Sequence, residues 1–247
     1  MTGFLVQGGA PPDDSVTTAK ILNDAVTLAK IAAGTDGELI TWDASGDPAA
    51  VAVGTATHVL TSNGAGAAPT FQAGGGAWNL IGTSVTSGSS ATLDVTGLDT
   101  TYDMYAIGLS DLHPTTDPAV AWLRLGDSGG VDSGASDYMW DAIDTDGGTV
   151  QRGLDSSDDA IQIASTNDVG GLTGEGVCGM IYLSRGDGLG LYPSCTGTIL
   201  SKNGGSTNFA TFTGHRTSMI TVDRVQFLFS TGNITAGRMT VWGLAHA

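Results

Sequence analysis

A chain of 247 residues with a formal net charge of −16 and only nine Lys and Arg is poorly suited to nucleic acid or an anionic membrane, because phosphate recognition needs basic residues clustered on one face. Its acidic residues are 23 Asp and 2 Glu beside 38 Gly. Asp favours turns where Glu favours helices, so with the β-branched residues the composition reads as all-β, strands joined by many turns. No run approaches membrane-spanning length, which excludes membrane insertion by a helix, and no basic-then-apolar leader opens the chain. Assembly in a cytoplasm is expected.

Met1 to Asp13 contains Pro11 and Pro12, a stiff extended stretch foreign to a helix interior. Residues 1–13 read as an attachment segment. Two ten-residue copies follow, Asp14 to Asn23 and Asp24 to Ala33, sharing Asp, Val-Thr and Ala-Lys-Ile. So short a unit cannot bury its own apolar face and must stack on something. Val16 and Ile21 lie five residues apart, as do Val26 and Ile31, a spacing that fits neither a clean helix nor an alternating strand. Identical chains side by side about an axis would gather Val16, Ile21, Val26 and Ile31 into a shared seam and leave Lys20 and Lys30 outside. A pair of short amphipathic helices or a linker is the alternative. On the first reading residues 14–76 are a slender shaft of several chains. Apolar residues this sparse cannot offset an ordering cost of roughly 1–2 kcal/mol per residue within one chain.

Gly34 to Asp43 reads as turn then strand, Ser45 to Pro48 as a turn, and Asn63-Gly64 as a tight turn with positive φ. Glycines 74–76 break the chain. From residue 77 to 247 period-two alternation takes over, in Ala91, Leu93 and Val95, in Tyr105, Ile107 and Leu109, and in Ala121, Leu123 and Leu125. It recurs in Ile161 and Ile163 and in Val225, Phe227 and Phe229. In the last run Met239 and Val241 oppose Thr240, Trp242 and Leu244. Apolar groups on both faces lead us to expect another subunit against this strand. The pattern predicts an antiparallel β-sandwich tip, jelly-roll-like, for residues 77–247.

The Val-Thr-x-Ala-Lys-Ile repeats, then GELITWDASG, then VLTSNGAGAAPTFQA resemble the shaft segments of tailed-bacteriophage fibre proteins. AWNLIGTSV, LDVTGLDTTYDMYAI, WLRLGDSGGVDSGASDY and ITAGRMTVWGLA are similar to the C-terminal β-sandwich tip of many such fibres. The resemblance implies a homotrimer on the exterior of a virion, bound to other virion proteins through its N-terminus. Its tip would recognise a host surface glycan, without catalysis or cofactor. A purely architectural head or tail decoration is one alternative. A glycan-degrading fibre enzyme is another, though the tip is too short for the long stacked-strand barrel that familiar depolymerases resemble.

Gly126-Asp127-Ser128-Gly129-Gly130 matches the serine motif of chymotrypsin-like proteases. That chemistry needs a histidine within hydrogen-bond reach, for which His58 and His113 are the candidates; His58 lies in the shaft segment with no double barrel between, so a flexible loop is expected. Arg185-Gly186-Asp187 reads as a hairpin turn before it reads as an integrin-type tripeptide. Asp144-Thr145-Asp146-Gly147 begins like a calcium loop but lacks the bidentate glutamate, and His215 and His246 have no partners at metal spacing. No metal site is expected. For a glycan, Tyr138 and Trp140 are the candidate ligand-binding residues, since a ring stacks on a sugar's apolar face while Asp and Asn take its hydroxyls. Inter-strand packing of both rings is the competing reading. A two-residue turn at Gly186-Asp187 would set Cys178 opposite Cys195. A disulfide is sterically allowed there, although a cytoplasm favours thiols and Pro193 would shift the register.

Overall fold

The computed structural model describes residues 21, 33–74, 76–146, 148–163, 169–186 and 190–245. Among them every regular element is a strand, and the strands pair antiparallel. Val16, Val26 and Ile31 lie outside the described residues, and Ile21 is 44% exposed. The chain divides into two compact units between Gly74 and Gly75.

The described part of the first unit is two separate hairpins, β1 (Leu39–Trp42) with β2 (Pro48–Val51) and β3 (His58–Thr61) with β4 (Thr70–Ala73). Asp43 closes the first, its Oδ1 accepting the backbone N–H of Ser45 at 2.8 Å and of Asp47 at 2.9 Å. Those bonds hold its carboxyl below the usual range. In the second hairpin Asn63-Gly64 is not a two-residue turn, because the strands stop at Thr61 and resume at Thr70. Instead the Asn63 amide spans the loop, donating to the Ala68 carbonyl at 2.7 Å and accepting from Gln72 at 2.8 Å. Val51 is the one buried hydrophobic side chain among the described residues of this unit. Leu39, Ile40, Trp42, Val53, Val59 and Leu60 are exposed.

In the second unit the strands follow as β5 (Trp78–Thr86), β6 (Thr92–Thr96), β7 (Met104–Pro114), β8 (Ala121–Asp127), β9 (Gly130–Val131), β10 (Tyr138–Asp146) and β11 (Thr149–Asp158). Then come β12 (Ile161–Gln162), β13 (Gly176–Ser184), β14 (Ser194–Asn203), β15 (Ser206–Arg216), β16 (Arg224–Phe229) and β17 (Ile234–Leu244). An eight-stranded sheet runs β11-β10-β15-β14-β13-β7-β17-β5, and a five-stranded one β12-β8-β16-β6 with β9 on β8. One core joins them, with Ile107, Ile181, Phe212 and Val241 from the larger sheet against Leu93, Leu123, Val225 and Phe227 from the smaller. The arrangement is sandwich-like, with more strands than the eight of a jelly roll. Where Gly214 faces Ile161 the sheets come so close that a Cβ would sit 2.5 Å from Ile161 Cγ2.

Cys178 and Cys195 do not face each other. β13 and β14 pair with Cys178 opposite Leu200 and Leu183 opposite Cys195, five residues from the expected register. The connection is longer than a two-residue turn because β13 ends at Ser184 and β14 begins at Ser194. Just past β13 the Arg185 side chain enters the core, its Nε donating to the Val222 carbonyl at 2.8 Å. Pro193 has no N–H to give a ladder, and its carbonyl accepts from Arg216 N at 2.9 Å. Cys178 is exposed and Cys195 buried, both as thiols. Burial pushes the Cys195 thiol up to about 12, which removes the reactive thiolate at neutral pH. Ellman's reagent should therefore label at most one thiol per folded chain and two after unfolding in guanidinium. Two fast-reacting thiols in the native protein would contradict this register.

Candidate functional site

Tyr138 and Trp140 sit in strand β10, not in a loop, and both point toward the core. Tyr138 is fully buried. Its hydroxyl accepts the Leu125 N–H at 2.8 Å and lies 2.9 Å from the carbonyls of Leu125 and Asp132, to one of which it donates. Burial raises its pKa well above the ordinary phenol value. The expectation of an exposed, ligand-stacking Tyr138 is thereby corrected, because the ring packs between elements and its hydroxyl is consumed by backbone. Trp140 is 9% exposed, with Nε1 donating to Asp158 Oδ2 at 2.8 Å. The residue also borders a shallow cavity on the opposite face of the sheet.

That cavity, about 230 Å³, opens on β10, β11 and β15 between Met139, Trp140, Asp141, Arg152, Leu154, Thr213 and His215. Asp141 and Arg152 form an exposed ion pair along its wall. The Arg152 hydrogen bond holds the Asp141 carboxyl below its usual range. Arg152 is correspondingly raised. His215 stacks on Tyr192, ring centroids 5.9 Å apart and planes 23° from parallel. Apolar walls from Met139 and Leu154 beside a carboxylate, a guanidinium and hydroxyls suit a polar ligand with an apolar face. Sequence reasoning found Trp140 and missed the rest. Alternation places Met139 and Asp141 opposite Tyr138 and Trp140, but nothing local says that Arg152, Thr213 and His215 join them.

The protease-like letters serve a turn. Gly126 pairs with Val131 and Asp127 with Gly130, so Ser128 and Gly129 are the two central residues of the β8–β9 hairpin. Asp127 Oδ1 accepts the Gly129 N–H at 2.7 Å. A Cβ on Gly126 would lie 2.2 Å from the Gly130 carbonyl oxygen, and Gly130 adopts φ of +131°, so each glycine answers a steric demand. Ser128 is exposed, and among the described residues no histidine ring is hydrogen-bonded to it. His58 bonds instead to Thr55 Oγ1 at 2.9 Å. Arg185 is 3% exposed, which denies an Arg-Gly-Asp tripeptide its cation; Asp187 and His246 lie outside the described residues. Asp144 is a buried strand residue. Among the described residues no group of three or more His, Cys, Asp or Glu could hold a metal ion, and no helix is long and apolar enough to cross a membrane. No family model, curated protein or solved structure matches the chain.

The loop after this hairpin is clamped by Arg216. Its Nε donates to Asp132 Oδ2 at 2.9 Å and its Nη1 to the Asp137 carbonyl at 2.8 Å, and Nη1 also pairs ionically with Asp137 Oδ1 at 2.8 Å. Its guanidinium carbon lies 5.5 Å from the Tyr138 ring centroid. Burial raises the Asp132 carboxyl, against the pull of Arg216. Replacing Arg216 with Met should cost about 2–4 kcal/mol at pH 7, since two half-buried carboxylates lose their cation. The sign follows from Asp132. Without Arg216 its folded pKa rises further above the unfolded value, so the folded state binds the proton more tightly. Stability is then lost as pH rises through that folded pKa. Urea denaturation at both pH values should show a larger deficit at pH 7 than at pH 4, and an equal deficit at both would refute the ionic clamp.

Proposed function

We propose that this chain is a non-catalytic structural subunit of a bacteriophage fibre, assembled in the host cytoplasm and carried on the outside of the virion. Three copies share residues 14–76 as a shaft, residues 1–13 attach to other virion proteins, and residues 77–247 form a tip that recognises a host surface glycan. The observation that carries this reading is the state of the first unit, where seven large apolar side chains are exposed and one is buried among the described residues. An isolated two-stranded hairpin is marginally stable in water. Two of them with apolar faces open need cover, and copies of the same chain about an axis supply it, with Val16, Ile21, Val26 and Ile31 continuing the seam. The number three comes from the resemblance to phage fibres.

The cavity at Trp140 supports the receptor-binding half of the proposal. Met139 and Leu154 can meet a sugar's apolar face, and Asp141, Arg152 and Thr213 can take its hydroxyls.

Sedimentation velocity on the full chain should give three times 24.9 kDa. Ile40→Asp combined with Trp42→Asp should lower that mass, and a stable folded monomer at micromolar concentration would end the shaft reading. On an array of bacterial surface polysaccharides, Arg152→Ala should weaken binding about tenfold, a loss of about 1.4 kcal/mol, without moving the unfolding midpoint. Undiminished binding would remove the cavity as the site.

A further inference from the structure

The outer face of the eight-stranded sheet has two different ends. The cavity occupies the β10–β11 end. At the other, the ladder sets Leu80 beside Trp242, Trp242 beside Ala106, and Ala106 beside Tyr182 in one row across β5, β17, β7 and β13. Trp78 and Met104 flank that row, and Leu80 is 64% and Trp78 43% exposed. The rings are seated. Trp78 meets Trp242 edge-on at 5.8 Å and Tyr182 at 6.5 Å. Trp242 lies against Gly108 so closely that a Cβ there would fall 2.9 Å from Cζ3. An aromatic cluster already ordered on a rigid sheet loses little further freedom on being covered.

Charge says what covers it. The chain carries −16, yet Trp78–Thr86, Met104–Ser110, Gly176–Ser184 and residues 239–244 contain no charged residue. Two copies of so acidic a chain repel over most of their surface, and a charge-free sheet face lets them approach. The composition is that of an interface centre, aromatic and depleted of charge. The area is of the right size as well. The charge-free stretches, at about 3.3 Å per residue on strands about 4.8 Å apart, offer roughly 490 Å² per copy. Counted on both copies that is about the 1,000 Å² expected of a biological interface.

We propose that the outer face of β5, β17, β7 and β13 is a contact surface for a second copy of this chain, with Trp78, Trp242 and Tyr182 at its centre. The proposal deepens the assembly reading above by placing a contact on the tip, and it does not depend on the hairpins of the first unit.

The test uses the full chain with Cys178→Ser and one new thiol, Leu80→Cys in the patch or Ser128→Cys on the exposed β8–β9 turn, each labelled with benzophenone maleimide. Illumination at micromolar concentration should join Leu80→Cys chains into pairs on a denaturing gel at least tenfold more efficiently than Ser128→Cys chains. Should Leu80→Cys fail to fold, Tyr182→Cys in the same row gives the same readout. Equal yields at the two positions would overturn the proposal, as would capture of residues 1–74 within the same chain. A three-chain mass without patch cross-links sinks this contact and leaves the shaft. Patch cross-links in an Ile40→Asp, Trp42→Asp variant of unchanged mass sink the shaft and leave this contact.

Discussion

A sheet of eight strands covered on one side by a sheet of five is the constraint on which the tip depends. Strands β10, β15, β14, β13, β7 and β17 of the larger sheet send one row of side chains into the shared core, and among the described residues of this unit no strand covers their other row. The inner row is settled by packing, to the point that Gly214 is tolerated only as glycine opposite Ile161. The outer row is free to vary, and it varies along the sheet. Threonines 196, 198, 211 and 213 fill the middle strands, a mixed polar cavity lies at one end, and an aromatic cluster lies at the other. Function is therefore sought on the outer row.

What the sequence revealed follows the same division. Leu93 and Val95, Tyr105 and Ile107, Leu123 and Leu125, and Val225 and Phe227 were legible as inward residues because the pleat is a local property, fixed by one strand's own alternation. The residues read wrongly all depend on a partner remote in the chain. Tyr138 looked like a loop aromatic until β10 is seen between β11 and β15 with the smaller sheet beneath it. The cysteine register assumed a two-residue turn at Gly186-Asp187, whereas β13 ends at Ser184, β14 begins at Ser194, and the Arg185 side chain is held by the Val222 carbonyl, 37 residues away. Arg152, Thr213 and His215 join Asp141 through β10's two neighbours, and no spacing along the chain encodes that meeting.

The serine motif shows why letters mislead. A two-residue turn that must close tightly selects Gly126 and Gly130 for backbone clearance and Asp127 for its bond to the Gly129 N–H. A protease selects the same letters for a nucleophile and its surroundings. The two demands are distinguished by what lies beyond the motif, and here that is an arginine clamp on a loop. Arg216 ties Asp132 and Asp137 to the end of β15, so the loop is positioned by charge where the neighbouring strands are positioned by apolar burial.

The acidity of the chain acquires a structural reason in this light. Asp43, Asp99, Asp127 and Asp155 each accept, through Oδ1, the backbone N–H two residues on, at 2.7 to 2.8 Å. Such turns are where Asp is favoured over Glu, and a fold with many strand ends uses many of them. Part of the chain's negative charge is thus a by-product of turn chemistry. Trp78–Thr86 of β5, Met104–Ser110 of β7, Gly176–Ser184 of β13 and residues 239–244 of β17 carry no charge. Asp at turns thus contributes to the repulsion between copies of the chain without placing charge on those four stretches, which is what leaves them open to the contact proposed above.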